Sequence, residues 1–170
     1  MRVILAIDQG TTGTTVAVMN TRGVLLGSVN HEFPQIFPKP GWVEHEPEAI
    51  WKSVLKGIRA VFRKGLCKPA DIACIGITNQ RETALLWERR TGKPVGRAIV
   101  WQCRRTAERM ASIPKATQAR IKAKTGLLCD AYFSASKLEW LLHNVPAVQQ
   151  AANRGTLRVG TIDSLSLIHI

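Results

Sequence analysis

The chain has 170 residues, 45% of them hydrophobic and 21% charged, which is typical of a globular domain that can bury a sizeable core. No run of about 18 apolar residues occurs, which excludes a membrane-spanning helix and predicts no membrane insertion. The formal net charge is +12, but the basic residues are spread along the sequence without interleaved aromatic residues, so no nucleic-acid partner is expected. The opening apolar run is too short for a secretory signal, and the four cysteines lack zinc or CxxC spacing, which predicts reduced thiols and a cytoplasmic location.

The first half of the chain reads as strands followed by one helix. A strand is predicted at residues 2–8, and a Gly/Thr-rich turn leads to strands at 16–19 and 24–26, which gives an antiparallel meander. A helix is predicted to begin at Pro47, with Gly65 capping its end. The apolar face of this helix consists of Ile50, Trp51, Val54, Leu55, Ile58, Val61 and Phe62.

The second half begins with a near-continuous apolar run at residues 72–78, which predicts a strand buried on both faces. Further strands are predicted at 83–87 and 95–101. Helices are predicted near residues 106–112, 115–123 and 134–142. Ser134 is expected to cap the last helix, whose buried stripe is formed by Leu138, Leu141 and Leu142. The predicted fold class is α/β with a mixed sheet.

One candidate site is the turn after the first strand, where Asp8 precedes Gly10, Thr11 and Thr12. Gly10 allows a close backbone approach, and the turn amides and threonine hydroxyls can donate to phosphate oxygens. Asp8 can hold a Mg²⁺ ion directly or through water. Asp and Gly are also common in ordinary turns, so the residues alone favour a polar hairpin in which Asp8 bonds its own turn.

A second candidate site follows the strand at 72–78, where Arg81 offers donors and Glu82 offers acceptors for vicinal hydroxyl groups. A surface ion pair beside a turn explains the same two residues equally well. Trp101 can form an apolar wall against a ligand, and Tyr132 carries a hydroxyl on a rigid ring, although both residue types also serve in cores.

Five segments, taken in chain order, resemble the glycerol kinases of the FGGY carbohydrate kinase family. They lie at residues 8–12 (DQGTT), 38–45 (PKPGWVEH), 77–83 (ITNQRET), 98–106 (AIVWQCRRT) and 125–134 (TGLLCDAYFS). The acid followed by GTT marks only the wider superfamily, whereas NQRET and WQCRRT are specific to glycerol kinase.

The resemblance implies a domain of the actin/Hsp70/hexokinase type, built on a ribonuclease-H-like mixed sheet and the first of two family domains. Residues 1–164 are interpreted as an incomplete N-terminal FGGY kinase domain. Residues 165–170 depart from the family pattern and are interpreted as a foreign tail.

The resemblance also implies the role of each site residue. Asp8 approaches the Mg²⁺–phosphate group, and the turn formed by Gly10, Thr11 and Thr12 meets the ATP phosphates. Arg81, Glu82 and Tyr132 bind the glycerol hydroxyls, and Trp101 forms the apolar wall beside them. Thr15 stands where many family members have an arginine. The general base is expected beyond residue 170, so no catalytic residue is assigned here.

The expected function is therefore ATP-dependent phosphorylation of glycerol to glycerol 3-phosphate, with glycerol and ATP/ADP as partners and Mg²⁺ as cofactor. The chain is interpreted as an N-terminal fragment that is inactive alone and belongs to a homo-oligomer at full length. Two alternatives remain open: a kinase for another polyol or sugar of the same family, and a non-catalytic module that binds polyol or nucleotide.

Overall fold

The computed structural model describes residues 2–169. Among these residues, the strands are β1 (Val3–Gln9), β2 (Gly13–Asn20), β3 (Leu25–Glu32), β4 (Glu44–His45), β5 (Ile72–Asn79), β6 (Leu85–Glu88), β7 (Ala98–Ile99) and β8 (Leu157–Gly160). The α-helices are α1 (Pro47–Arg63), α2 (Ala107–Ala111), α3 (Lys115–Thr125), α4 (Ser134–Asn144), α5 (Pro146–Asn153) and α6 (Ile162–His169). A short 3₁₀ helix spans Pro69–Asp71.

The chain divides into two compact units, which are described separately. Unit 1 consists of the described parts of Met1–Gln35, His45–Arg81 and Ile162–Ile170. Unit 2 consists of Ile36–Glu44 and Glu82–Thr161. Within residues 2–169, no helix combines the length and the apolar character that crossing a lipid bilayer requires.

Unit 1 is built on a four-stranded mixed sheet in the order β3-β2-β1-β5. The first three strands form the predicted antiparallel meander, and β5 pairs with β1 in parallel. The register sets Asp8 of β1 opposite Thr15 of β2 and opposite Thr78 of β5. The predicted mixed sheet is therefore confirmed, and three polar side chains lie level with one another across its central strands.

Helix α1 covers one face of this sheet, as its apolar pattern predicts. Val3, Leu5 and Ile7 of β1 are fully buried, in the same hydrophobic cluster as Val54 and Val61 of α1. Pro47 occupies the first turn of the helix. The predicted glycine cap is also confirmed, because Gly65 follows the helix at φ +68°, a conformation that L side chains rarely adopt.

The burial predicted for the strand at 72–78 is wrong, although the strand itself is present as β5. Residues 73–76 are all exposed, and Ile75 has 43% of its surface accessible. Among the described residues β5 pairs only with β1, so one of its edges carries no strand. An apolar run predicts a strand that can be buried on both faces, but burial requires neighbours on each side.

Unit 2 contains shorter elements around a second hydrophobic cluster that includes Leu86, Ile99 and Leu141. Strands β6 and β8 pair antiparallel, and β8 and α5 were not predicted. Elsewhere in this unit the Arg105 guanidinium lies 3.9 Å from the ring centroid of Trp42 and 4.6 Å from that of Trp140, beside Glu44. A delocalised cation between two aromatic faces stabilises this part of the unit.

Two details predicted for helix α4 are wrong. Leu142 is 37% exposed, whereas Leu141 is buried and Leu138 is half-buried, so the apolar stripe is narrower than its leucines indicate. Ser134 does not cap the helix, because it is already the first helical residue. Its backbone N–H instead donates to the Glu82 carboxylate at 2.9 Å, which supplies the acceptor that a capping side chain would provide.

Candidate functional site

The candidate phosphate turn joins β1 to β2 in unit 1. Asp8 is exposed at the end of β1, next to a hollow of about 250 Å³ on the sheet face opposite α1. Small and apolar residues, together with two threonines, form the rest of the lining: Ala6, Ile7, Thr15, Ala17, Gly76, Ile77 and Thr78. The structure thus leaves the Asp8 carboxylate accessible, on a surface where small side chains permit close approach.

The turn itself is held from both sides. The Ser53 hydroxyl of α1 donates to the Ile50 carbonyl at 2.6 Å, so the buried Thr14 hydroxyl donates to Ser53 at 2.6 Å. A Cβ on Gly13 would lie 2.9 Å from the His31 carbonyl oxygen of β3, which only glycine avoids. Gly10 is also confined, because its Cβ would lie 3.1 Å from the Gly13 carbonyl oxygen. The turn is therefore fixed by packing before any ligand is present.

A buried polar network lies behind this turn and was not predicted from the sequence. His45 is fully buried and contacts Gln35 through Nε2 at 2.6 Å and Gln80 through Nδ1 at 3.2 Å. Gln35 donates to the carbonyl of Thr11 at 3.0 Å, and Gln80 donates to that of Gly10 at 3.2 Å. Burial lowers the pKa of His45 to about 4, so the ring is neutral at pH 7.

Arg81 and Glu82, the candidate hydroxyl-binding pair, are consecutive in the sequence, and the division into two units falls between them. Arg81 is the last residue of this part of unit 1 and is exposed. Glu82 begins the next part of unit 2 with φ +64° and is the non-glycine residue at positive φ among those described. Such a conformation costs roughly 1–2 kcal/mol, and residues that adopt it cluster at active sites and ligand-binding sites.

The Glu82 side chain has a partner that the sequence did not reveal. Its Oε2 accepts hydrogen bonds from the Ser134 N–H at 2.9 Å and the Ser134 hydroxyl at 2.8 Å. The two residues are 52 positions apart in the sequence. The carboxylate therefore sits at the positive end of the α4 dipole, where a negative charge is stabilised.

Trp101 and Tyr132 lie together in unit 2. Their ring centroids are 5.7 Å apart at 64°, an edge-to-face contact. The backbone N–H of Trp101 donates to the hydroxyl of buried Thr83 at 3.2 Å, and the Tyr132 ring makes a second edge contact with Phe133 at 5.1 Å. Both rings are half-buried, so each presents part of its surface to solvent while its backbone is fixed.

The loop that carries Tyr132 is organised by charged groups. Lys137 is fully buried, and its amino group donates to the carbonyls of Ala131 at 2.8 Å, Phe133 at 3.1 Å, and also Tyr132. Burial lowers the pKa of Lys137 to about 8, and three carbonyl acceptors match the three donors of the ammonium form. Lys137 is a supporting residue that sequence reasoning missed, because nothing in its spacing distinguishes it from a surface lysine.

Asp130 anchors the other end of this loop. Its Oδ1 accepts from the Tyr132 N–H at 2.7 Å, and its carboxylate forms a two-point pair with Arg104 at 2.8 and 3.2 Å. The hydrogen bond from Arg104 lowers the pKa of Asp130 below its ordinary value. The position of Tyr132 therefore depends on an ion pair as well as on a buried ammonium group.

A cavity of about 610 Å³ lies beside Glu82 in unit 2, but its chemistry does not suit a polyol. Its wall is mostly apolar and includes Met110, Ile121, Leu128 and Phe133, whereas Trp101 and Tyr132 do not line it. A polyol needs a hydrogen-bonding partner for each hydroxyl group. Of the predicted glycerol-binding residues, only Glu82 lines this cavity, whereas Arg81, Trp101 and Tyr132 do not.

The structure thus brings the predicted phosphate residues together in unit 1 and the two predicted aromatic residues together in unit 2. The model of the N-terminal domain of the FGGY family of carbohydrate kinases matches residues 3–169. The chain belongs to this family. The predicted fold is confirmed with it, because the similar solved structures are FGGY carbohydrate kinases with actin- and hexokinase-like domains.

Among FGGY relatives, the chain is 51% identical to the glycerol kinase of Symbiobacterium thermophilum over 162 residues, which cover 95% of this chain and 32% of that protein. The crystal structure of Plasmodium falciparum glycerol kinase with ADP is similar with a TM-score of 0.88 at 36% identity, over 97% of this chain and 33% of that one. Gluconate kinase from Lactobacillus acidophilus gives a TM-score of 0.80 at 23% identity, over 96% and 32% of the two chains, which shows the fold alone.

The chain spans about a third of the length of the curated relatives that it matches. The boundary predicted at residue 164 stays a prediction. Helix α6 crosses it without interruption, and the family match extends to residue 169.

Proposed function

We propose that this chain forms the first part of an enzyme that transfers the terminal phosphoryl group of ATP to glycerol. The observation that carries the proposal is its 51% identity to a glycerol kinase over 95% of its length. The structural likeness to an ADP-bound glycerol kinase supports nucleotide use. The site geometry supports different roles for the two units. Unit 1 carries the proposed phosphate-binding residues, and unit 2 carries two of the proposed hydroxyl-binding residues, Glu82 and Tyr132, and the aromatic wall formed by Trp101.

In unit 1, the Gly10–Thr12 turn is proposed to receive phosphate oxygens on its amides and hydroxyl groups. Asp8 is the residue that would hold a Mg²⁺ ion, directly or through water. One exposed carboxylate fits this ion, since Mg²⁺ bound to a nucleotide takes few protein carboxylates and keeps several waters. When bound, the ion would neutralise charge on the phosphates.

The glycerol contacts are proposed to come from Arg81, Glu82 and Tyr132, with Trp101 against the carbon chain. Arg81 donates to a hydroxyl oxygen, and Glu82 accepts a hydrogen bond from a hydroxyl group through oxygen lone pairs that Ser134 does not use. Glu82 cannot move freely, because its carboxylate is held at the start of α4. Fixed contacts of this kind place the attacking hydroxyl in line, and phosphoryl transfer depends mainly on such positioning.

No general base is assigned to this chain, and the base is proposed to be carried by a segment beyond residue 170. We therefore expect the 170-residue chain alone to release no ADP above the level of a catalytically dead control when glycerol and Mg-ATP are saturating. General base catalysis typically contributes about 10²–10⁴-fold. Clear turnover by the chain alone would contradict this assignment.

The proposal is tested by a chimera in which residues 1–164 replace the matching first third of the Symbiobacterium thermophilum glycerol kinase. We expect the chimera to phosphorylate glycerol in a coupled ADP-release assay. The kcat/KM for xylulose and for gluconate should be at least tenfold lower, which corresponds to a difference of about 1.4 kcal/mol in transition-state binding. The intact Symbiobacterium enzyme serves as the positive control. A folded chimera that prefers xylulose or gluconate, or that binds glycerol and Mg-ATP without turnover, would overturn the proposal.

A further inference from the structure

His45 is the last residue of the segment at 38–45 that resembles the family. Neither the segment nor His45 has been assigned a role so far. Its ring is fully buried, and its edge-to-face contact with Phe33 has a centroid distance of 5.1 Å. The only hydrogen-bonding atoms of the imidazole, Nδ1 and Nε2, face Gln80 and Gln35. A buried polar ring with a partner on each nitrogen is a specific arrangement, because each nitrogen must match the donor or acceptor opposite it.

The network has one consistent assignment of hydrogens, which the backbone determines. Gln35 Nε2 faces the carbonyls of Thr11 at 3.0 Å and Phe33 at 3.2 Å, so this end of the amide must be the NH₂ group. Gln80 Nε2 faces the Gly10 carbonyl, which fixes that amide in the same way. The Gln35 oxygen therefore faces His45 Nε2, which must carry the proton, and His45 Nδ1 accepts from Gln80.

This assignment determines how the phosphate turn is aimed. In a trans peptide the C=O of one residue and the N–H of the next point in opposite directions. The carbonyls of Gly10 and Thr11 are drawn toward the network, so the N–H groups of Thr11 and Thr12 are directed away from it. Gln80 also makes a third hydrogen bond between the network and this part of the chain, because its backbone N–H donates to the Gln9 carbonyl at 2.7 Å.

We propose that His45 is a positioning residue for the phosphate turn. As a neutral imidazole protonated on Nε2, it holds Gln35 and Gln80 against the carbonyls of Thr11 and Gly10 and thereby aims the following amides at the phosphates of the nucleotide. The second half of this statement rests on the proposed function. The first half concerns the chain alone and is tested separately.

The tautomer is tested by ¹⁵N NMR of the 170-residue chain labelled at histidine. We expect His45 to show a protonated Nε2 and an unprotonated Nδ1, with no titration between pH 8 and pH 5. A His45 ring that is protonated on Nδ1, or that titrates near its ordinary pKa of 6.5, would overturn the proposal. This measurement requires neither substrate nor activity.

The aiming of the amides is tested with two variants. His45→Phe keeps an aromatic ring but removes both hydrogen-bonding atoms, whereas His45→Gln retains one donor and one acceptor. In the 170-residue chain, we expect hydrogen exchange at the Gln80 amide, which donates to the Gln9 carbonyl, to be about tenfold or more faster in His45→Phe and largely restored in His45→Gln. The matched control is His143→Phe, which should not change this rate.

The functional consequence is measured in the chimera described above. We expect His45→Phe to lower kcat/KM for ATP by about tenfold or more while the KM for glycerol changes less than twofold, with partial recovery in His45→Gln. Equal losses for both substrates, or no loss, would overturn the positioning role. If the unsubstituted chimera lacks activity, the proposed function fails, but the tautomer and exchange measurements still decide the first half.

Should His45→Phe fail to fold, His45→Gln and the unsubstituted chain remain informative. Exchange at the Gln80 amide in His45→Gln that is as fast as in a short unstructured peptide would contradict the proposal.

Discussion

The two units support their candidate ligand-binding residues by different electrostatic means. In unit 1, the phosphate turn is held by a neutral network in which His45 and two amides contact backbone carbonyls. In unit 2, the Tyr132 loop is held by charges, since Lys137 is a buried ammonium group and Asp130 is paired with Arg104. The difference fits the proposed ligands, because a fixed charge behind the turn would add to or oppose the field of the phosphates, whereas neutral glycerol imposes no such constraint.

The two kinds of support should also fail differently. Removing one partner of a buried charged group leaves unpaired polar atoms, each of which costs the free energy of its lost solvation. A neutral network is less costly to build but tolerates no change of protonation, because each ring nitrogen has one permitted state. We therefore expect mutations of the charged support in unit 2 to lower stability the most. We also expect the two supports to respond to pH in different ranges.

The largest effect is expected for Lys137→Met. The carbonyls of Ala131, Tyr132 and Phe133 would lose their shared donor in a buried site, which should lower the free energy of unfolding by about 3–5 kcal/mol. Urea denaturation of the 170-residue chain measures this, with exposed Lys124→Met as the matched control. A loss below about 1 kcal/mol would show that the charged support is dispensable.

The next effect concerns the exposed acid of unit 1. Asp8→Asn in the chimera should lower kcat by about 10²–10³-fold and leave glycerol binding nearly unchanged, because the charge is proposed to act on the metal and phosphates. Steady-state kinetics at saturating Mg-ATP measure the change, and Glu48→Gln on α1 is the control. Normal turnover in Asp8→Asn would show that the turn is an ordinary hairpin.

The pH dependence of stability distinguishes the neutral network of unit 1 from the charged groups of unit 2. Burial lowers the pKa of His45 from 6.5 to about 4, so the unfolded chain binds more protons than the folded chain between these values. Stability contributed by the neutral ring is therefore complete above pH 6.5 and decreases by roughly 3 kcal/mol as the pH falls toward 4. The difference in unfolding free energy between the unsubstituted chain and His45→Gln isolates this contribution and should shrink at low pH.

Lys137 should produce a pH dependence of the same sign in a more alkaline range. Its folded pKa of about 8 is below the ordinary 10.5, so the folded chain releases the proton first and stability rises with pH between these values. The charged groups that interact with its amine are Glu82, Asp130 and Arg104, together with the Cys103 thiol. A flat difference between the unsubstituted chain and Lys137→Met across pH 8–10 would contradict this reading of the buried ammonium group.

A smaller effect is expected where the two units meet in sequence. Arg81→Ala should raise the KM for glycerol in the chimera more than that for ATP, with a loss of about 1.5–3 kcal/mol in transition-state binding. Kinetics with each substrate varied separately test this, and exposed Arg63→Ala on α1 is the control. Unchanged glycerol kinetics would remove Arg81 from the glycerol site.

The smallest effect is expected for the partly exposed ion pair of unit 2. Arg104→Met should lower the free energy of unfolding by less than about 1 kcal/mol, because the side chains of Arg104 and Asp130 are 53% and 39% exposed. The pKa of Asp130 should rise toward its ordinary value, which ¹³C NMR of the carboxyl group can follow. A loss as large as that in Lys137→Met would mean that the surface charges, rather than the buried one, hold the loop.

The sequence predicted the elements whose signals are local. The meander of β1 to β3 follows from short apolar runs separated by turns, and α1 carries both its apolar face and its terminal glycine. Helix α5 was missed because only Val148 and Ala151 are buried in it, and two residues give a weak periodicity. The burial of β5 was wrong because burial depends on neighbours that the strand's own residues do not encode.

The candidate site also contains residues that the sequence indicated and residues that it did not. The types of residue at Asp8, Arg81 and Tyr132 pointed to ligand chemistry, and their roles stay predictions. Their supports were not found, since the pairing of Glu82 with Ser134 joins distant segments and depends on a backbone conformation that sequence patterns do not show. His45 was assigned no role because a histidine becomes a fixed donor and acceptor only through the groups around it.

The residues of the turn between β1 and β2 also differ in what they indicate when the same sequence pattern is found in another gene. Gly13 is required by the neighbouring strand, since any side chain there would collide with the His31 carbonyl. A descendant that lost all activity would still need this glycine in order to fold. Asp8, by contrast, is exposed and contributes nothing to the core. The glycine therefore reports only that the fold persists, and the aspartate is the residue of the turn through which the proposed phosphate chemistry can be judged.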